Sequence, residues 1–270
     1  MLIKRPGWLQ RDSRQAQVYA DADGNSLAYF GYRKVPENEK AQWVLRHFNS
    51  VARQYDIMNT ILSFGIHHLW KRVAVRRMGL KPGDRVLDVC GGTGDLCLLA
   101  ARQVGSAGEL VLYDINRLMM EAGRQRALRE PIRKTFGYVQ GDAERMSFPD
   151  GCFEAAMVGF GIRNLTHMEQ GFKEMFRVLK PGGTMMCLEF SKPVNPLFCW
   201  LYDQYSFYIM PVLGELIAGS RQAYTHLPES IRTFPLPDEL VQILGGIGYV
   251  DVAYQRLTNG IAVVHLARKP

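Results

Sequence analysis

From residue 36 onward, apolar side chains fall at Trp43, Val44, Phe48, Val51, Ala52 and Tyr55, a three-and-four spacing that gathers them on one helical face. Pro36 precedes the run, where its missing N–H does no harm to a first helical turn. A second run of the same kind, FGIHHLWKRVAVRRMGL, ends in KPGD, whose proline and glycine supply a turn. Beyond it the period changes. Short stretches rich in Val, Leu, Ile and Met, at 85–89, 110–113, 137–140, 155–159 and 184–188, alternate with helical patterns. That alternation predicts parallel strands with helices on both faces of a sheet. The rhythm breaks near the end. A helical pattern over 237–244 leads to YVDVAYQRL and then, across TNG, to IAVVHLAR with no helix between, which predicts a hairpin and an antiparallel last strand.

Composition narrows the picture. A chain of 270 residues with 47% hydrophobic content can build one sizeable core, so one principal domain is expected. The net charge of +7 would suit an acidic partner or an anionic membrane, yet the basic residues are spread among 26 acids, which favours an ordinary solvated surface. Cys90, Cys97, Cys152, Cys187 and Cys199 form no C-x-x-C pair, and their odd number argues against a disulfide framework. They read as buried thiols in a reducing compartment. Residues 1–29 carry charge without the apolar stretch of a secretory signal and read as a polar tail. The segment PLFCWLYDQYSFYIMPVLGELIAG, 196–219, is the most membrane-like, but Asp203, Gln204, Pro211 and Glu215 interrupt it. The expectation is a soluble, cytoplasmic protein that touches the inner face of a bilayer without crossing it.

The stretch VLDVCGGTGDL raises the chemical question. It places Gly91, Gly92, Thr93 and Gly94 between the first strand of the alternating series and a helix from about residue 95. In a doubly wound sheet that turn lies where nucleotide-like ligands bind. A glycine turn alone is equally what any tight bend requires. Two features add to it. YDIN sets Asp114 at the end of the next strand, about 20 residues on, where a carboxylate can accept both hydrogen bonds of a ribose diol. Cys97 stands where a dinucleotide site would have its third glycine, so no pyrophosphate is provided for. S-adenosylmethionine, with a ribose and no phosphate, fits better than a nicotinamide dinucleotide. GDAERMSFPDG then offers Asp142 for an adenine amino group and the Ala143 amide for a ring nitrogen. Asp142 reads equally as a helix cap or turn residue when taken alone.

The whole pattern resembles class I S-adenosylmethionine-dependent methyltransferases. More narrowly, YDIMNTILSFGIHHLW and RVLKPGGTMMCLEFS resemble the two signature segments of the ubiquinone/menaquinone biosynthesis C-methyltransferases. FGYRKVPENEKA, GFGIRN, AYTHLPESI and LTNGIAVVH resemble other blocks of that family, and together the likeness runs from residue 30 to 269. The resemblance implies an α/β fold with a seven-stranded, Rossmann-like sheet, an antiparallel last strand and an N-terminal helical lid. The expected division is a tail at 1–29 and a methyltransferase domain at 30–270, with the lid at 30–80 and the α/β core at 81–270. It implies methyl transfer from S-adenosylmethionine to a ring carbon of a demethylmenaquinol or a 2-methoxy-6-polyprenyl-benzoquinol, leaving S-adenosylhomocysteine. Gly91, Gly92, Thr93, Gly94, Asp114, Ile115, Asp142, Ala143 and Gly159 are the implied cofactor contacts. Gly159 departs from the serine often found in the family, and His68 stands where arginine is common. The first removes a hydroxyl near the cofactor and leaves at most a backbone contact.

Methylation of carbon needs an electron-rich ring carbon in line with the methyl group, so positioning does most of the work. A group that deprotonates the quinol, or a cation that stabilises its phenolate, belongs opposite the sulfonium. Arg163 in GFGIRN is the leading candidate to polarise the oxygen, against the simpler reading of a salt bridge that pins a loop. Tyr55 and His67 are further catalytic candidates, against packing and structural roles. Tyr55, Asn59, Asn164 and Tyr205 are the expected substrate contacts. The aromatic run from Phe198 to Met210 reads either as an entrance for an isoprenoid tail or as a core helix. Lys71, Arg72, Arg76 and Arg77 are placed to meet anionic head groups near it. No H-x-x-x-H or C-x-x-C spacing suggests a metal site, and no appended module suggests nucleic acid. Partners left open are a polyprenyl quinol, a transient membrane contact, and a homodimer or quinone-biosynthesis assembly. Competing functions are methylation of another lipid or phenol, and a noncatalytic cofactor-binding subunit of such an assembly.

Overall fold

The computed structural model describes Trp8 and residues 18–21, 23–127 and 136–270. Its centre is a seven-stranded sheet of β4 (Arg85–Val89), β5 (Glu109–Asp114), β6 (Phe136–Gln140), β7 (Phe153–Gly159), β8 (Leu179–Phe190), β9 (Val250–Leu257) and β10 (Ala262–Arg268). Their order across the sheet is β6-β5-β4-β7-β8-β10-β9, with β10 antiparallel to both its neighbours. The first five strands pair in parallel, as crossovers through helices require. The final hairpin is where expected, but its last strand lies between β8 and β9.

The helices are α1 (Lys40–Val51), α2 (Tyr55–Leu62), α3 (Ile66–Arg77), α4 (Asp95–Val104), α5 (Arg117–Ala127) and α6 (Met168–Val178), then α7 (Pro196–Gln204), α8 (Met210–Ala218), α9 (Arg221–Thr233) and α10 (Pro237–Ile247). Alternation along the strands builds two cores, one on each face of the sheet. Leu87 and Val89 point to the face covered by Phe172 and Met175 of α6 and Leu240 of α10. Val86 points to the other, with Trp70 and Ala74 of α3 and Ala100 of α4. Thus α3 belongs to the main core. A third apolar cluster joins α2 to α8 and α9 through Met58, Leu62, Met210 and Tyr224.

Three N-terminal strands, β1 (Val18–Ala20), β2 (Ser26–Phe30) and β3 (Arg33–Pro36), form a small antiparallel sheet of their own. Strand structure therefore reaches into the stretch expected to be a polar tail. The reason is local: Asp21 accepts the N–H groups of Asp23 and Asn25 in a tight turn, and Ala28 and Phe30 are buried. The segment after β8 is a nearly continuous rod in which a π-helical turn, Tyr205–Ile209, separates α7 from α8. Pro211 follows it and has no N–H to return to the preceding turn, a known cause of such a loosening.

Candidate active site

The glycine turn follows β4 with Cys90 at φ 53°, Gly92 at φ 54° and Gly94 at φ 80°. Positive φ suits glycine and strains Cys90, the kind of backbone that collects at functional sites. Asp114, at the end of β5, fixes the turn's position: the Gly92 N–H donates to its Oδ2 at 2.8 Å and the Asn116 N–H to its Oδ1 at 2.7 Å. Burial raises its pKa, and these N–H donors work against that rise. From the other side α5 closes in so tightly that a Cβ on Gly123 would lie 2.6 Å from the Thr93 carbonyl oxygen. Gly123 is needed for that approach, and nothing in its local sequence announces it.

Two cavities lie near this turn, and Cys90 and Gly92 border the smaller. The smaller, of about 130 Å³, is bordered by Gly92, Asp114, Ile115, Asp142, Ala143 and Gly159. Six expected cofactor residues are thereby brought together. Gly91, Thr93 and Gly94 do not border it. The Thr93 hydroxyl is engaged within the protein, donating to Asp56 Oδ1 at 2.7 Å. Asp142 also serves as a turn residue, accepting the Glu144 N–H at 2.9 Å. At Gly159 a Cβ would meet Leu96 Cδ1 at 2.7 Å, so the space a serine would need is taken by a leucine tip.

The larger cavity, of about 300 Å³, is bordered by all of Tyr55, Asn59, His67, Arg163, Asn164 and Tyr205. Four residues, Phe48, Tyr55, Phe160 and Asn164, border both cavities and mark where they meet. Phe160 sits at φ 60°, a second strained residue at this junction. Burial raises the Tyr55 pKa and keeps its hydroxyl protonated.

Arg163 is heavily engaged by the protein. Its Nη1 bonds both oxygens of Glu189 at 3.0 and 3.1 Å and the Phe160 carbonyl, while Nε reaches Ser230 Oγ at 3.3 Å. The salt bridge weighed against its chemical role is therefore present, and it is buried. Nη2 takes part in none of these bonds. His67 is likewise committed, with Nδ1 2.7 Å from Ser63 Oγ and a pKa held down at about 4 by burial, then by Lys71 and His68. The Tyr205 hydroxyl donates to the Leu62 carbonyl at 2.9 Å, which leaves its ring to face the cavity.

A charge network that the sequence did not reveal clamps α2 and α3 onto the turn. Arg126 of α5 bonds Asp56 Oδ2 at 2.8 Å, the Thr93 carbonyl at 3.0 Å and Asp95, and Asp95 also pairs with Lys71. Lys71 is thus buried in an ion pair rather than offered to lipid. Burial acts to raise the Asp95 pKa, but Lys71 and Arg126 more than offset it and hold the carboxyl at about 2. Asp95 also lies with His67 and His68 at distances a metal ion could bridge. Two cations already neutralise that carboxylate, which makes the cluster a poor metal site.

The aromatic run divides three ways. Phe198, Leu201, Tyr205 and Met210 border the larger cavity, Phe207 is buried against Arg232, and Trp200, Tyr208 and Ile209 are exposed. Leu197, Leu216 and Phe64 extend that exposed apolar face. Phe64 touches Tyr205 with ring centroids 5.9 Å apart, so the face continues to the cavity mouth. Among the described residues, no helix is long and apolar enough to cross a membrane.

Residues 35–269 match the model of the ubiE/COQ5 methyltransferase family. Over 248 residues the chain is 45% identical to the ubiquinone/menaquinone biosynthesis C-methyltransferase UbiE of Stutzerimonas stutzeri, covering 92% of this chain and 97% of that one. The Azotobacter vinelandii protein of the same name is 46% identical over 245 residues, 91% of this chain and 97% of its own. In fold, the chain is similar to a SAM-dependent methyltransferase of Thermotoga maritima, with a TM-score of 0.58 at 17% identity over 84% of this chain and 99% of that one. It is also similar to phosphoethanolamine N-methyltransferase 2 of Haemonchus contortus, solved with S-adenosyl-L-methionine, with a TM-score of 0.54 at 16% identity over 74% of this chain and 52% of that one.

Proposed function

The chain belongs to the ubiE/COQ5 methyltransferase family, and from that premise we propose how its two cavities divide the reaction. The activity is S-adenosylmethionine-dependent C-methylation in ubiquinone/menaquinone biosynthesis, with a prenylated quinol as acceptor. S-adenosylmethionine, when bound, supplies an electrophilic methyl group on a positively charged sulfur. The donor set of the smaller cavity suits it. Asp114 keeps carboxylate lone pairs beyond the two N–H groups it accepts, which fits a ribose diol, and Asp142 with Ala143 fits the adenine edge.

The quinol ring belongs in the larger cavity and its isoprenoid tail along Phe198, Leu201 and Met210. Arg163, through Nη2, steadies negative charge as it develops on the ring oxygen, and the Glu189 salt bridge fixes the guanidinium for that task. Tyr55 and Asn164 orient the ring, and α1 and α2 keep water away.

The observation that carries this reading is the meeting of the cavities at Tyr55 and Asn164, because a methyl group must pass from one ligand to the other there. Its test is Tyr55→Phe and Asn164→Ala. Each is expected to lower kcat by roughly 10- to 100-fold, the scale of lost orientation, with S-adenosylhomocysteine affinity nearly unchanged. Loss of cofactor affinity with kcat preserved would place the residues in the other cavity's service.

The exposed apolar face supports a further part of the proposal, peripheral contact with a bilayer. Asp203 and Glu215 are the charged residues of 196–218, and each is paired, with Arg232 and Arg221. An apolar face with its carboxylates neutralised, continuous with a cavity for a prenylated ligand, is suited to rest on lipid.

A further inference from the structure

We propose that His226 accepts the hydroxyl proton of the quinol during methyl transfer, a step that rests on the quinol reading above. His226, on α9, borders the larger cavity and is 7% exposed, yet neither of its ring nitrogens finds a hydrogen-bond partner among the described residues. Leaving both nitrogens of a buried imidazole unbonded is costly, so its persistence beside a ligand cavity calls for a partner supplied by the ligand.

The ring is held firmly. Phe30 stacks on it with centroids 3.9 Å apart, and the His47 ring meets it edge-on at 4.7 Å. His226, Arg163 and Asn164 also share the wall of a small void of about 10 Å³, which places the imidazole next to the arginine assigned to the ring oxygen.

Of the other groups at this cavity, Arg163, Tyr55 and His67 are less able to take a proton, and His47 is a second neutral imidazole packed against His226. Arg163 is a permanent cation with no lone pair to offer. Tyr55 keeps its own proton, and Nδ1 of His67 is engaged by Ser63. Burial first, then His47, Arg163 and Lys40, push the His226 pKa well down, so the ring is neutral and its lone pair available. Phenolate character developing on the quinol is the charge that offsets this depression when the proton moves.

The step balances. As the hydroxyl O–H bond breaks, its proton goes to His226, and the electron pair left on oxygen feeds the ortho carbon. That carbon bonds to the methyl group while the carbon–sulfur bond breaks and its pair stays on sulfur. The positive charge lost at sulfur reappears on the imidazolium, so the site's net charge is unchanged. The methylated carbon then releases its hydrogen to solvent, the ring regains aromaticity, and the imidazolium returns its proton to the oxygen.

The test compares wild type, His226→Gln and His226→Ala in anaerobic methyl transfer to reduced, short-chain demethylated quinol. General-base loss predicts a fall in kcat of roughly 10²- to 10⁴-fold, with S-adenosylhomocysteine affinity within twofold. Added imidazole should restore the Ala variant, and more basic imidazoles should restore it further. A readout independent of turnover is the ¹⁵N spectrum of labelled histidines. Adding 2-methyl-1,4-naphthohydroquinone should shift the unprotonated nitrogen of the His226 ring. Retention of activity within threefold in His226→Gln overturns the proposal. So does loss that no imidazole rescues in a folded, cofactor-binding variant, or a ¹⁵N resonance the hydroquinone leaves unmoved. Should wild type itself transfer no methyl group, the quinol reading fails, and the ¹⁵N titration still decides whether His226 takes a phenolic hydrogen.

Discussion

Asp114 holds the glycine turn through the Gly92 N–H, and in the proposed reading the same carboxylate keeps acceptors for a ribose. Asp114→Asn retains a carbonyl oxygen but loses the charge and one acceptor site. Charge-assisted bonds of this kind are worth about 1.5–3 kcal/mol, so calorimetry should show S-adenosylhomocysteine binding weakened by roughly 10- to 100-fold. An unchanged affinity would remove the ribose assignment. The position of Asp114 was legible in the sequence because it depends on a short spacing, a strand end some 20 residues after a glycine turn. Gly123, His47 and His226 were not. Gly123 matters through a backbone that passes close to it only in the folded chain, and His226 lies 179 positions beyond its neighbour His47. Thr93 shows the converse, a motif residue whose side chain is claimed by Asp56, 37 residues earlier.

At the scale of elements, the α2 and α3 helices are tied to the turn before α4 by Asp56, Lys71, Asp95 and Arg126. The depressed pKa of Asp95 makes this clamp pH-dependent. A carboxyl whose folded pKa lies below its unfolded value contributes stability that is present above about pH 4 and lost as pH falls towards about 2. The shift corresponds to roughly 2 kcal/mol at neutral pH. Asp95→Asn should therefore unfold more easily at pH 7 in denaturant titrations, and its deficit relative to wild type should close near the acid limit. A deficit that persists unchanged at low pH would show that the ion pairs are not its source. Strands and helices were readable from periodicity, since each buries one face or one stripe. The placement of β10 between β8 and β9 was not, because a hairpin in sequence does not state which of its strands meets the sheet. The turn chemistry around Asp21 and the alternation in SLAYF carry the signal for β1 and β2, which the polar composition of the first 29 residues obscured.

At the scale of the whole molecule, the larger cavity opens beside an exposed apolar face, the entry proposed above for a prenylated substrate. Trp200 and Leu216 are 57% and 76% exposed on that face, and neither borders either of the two cavities described above. Replacing both with serine should weaken sedimentation with anionic lipid vesicles by about tenfold or more, given 1.5–3 kcal/mol for each buried large side chain, while turnover of a short-chain quinol stays near wild type. Undiminished vesicle binding would move the contact elsewhere. The central claim is that the protein methylates carbon on a reduced ring held in the larger cavity, with the cofactor in the smaller one. The most direct measurement supplies methyl-labelled S-adenosylmethionine with demethylmenaquinol and demethylated benzoquinol, each reduced and oxidised, and locates the label in the product. The account predicts label in a ring methyl group, from the reduced substrate alone. Label on oxygen, equal transfer to the oxidised form, or cofactor binding without transfer to either ring would contradict it.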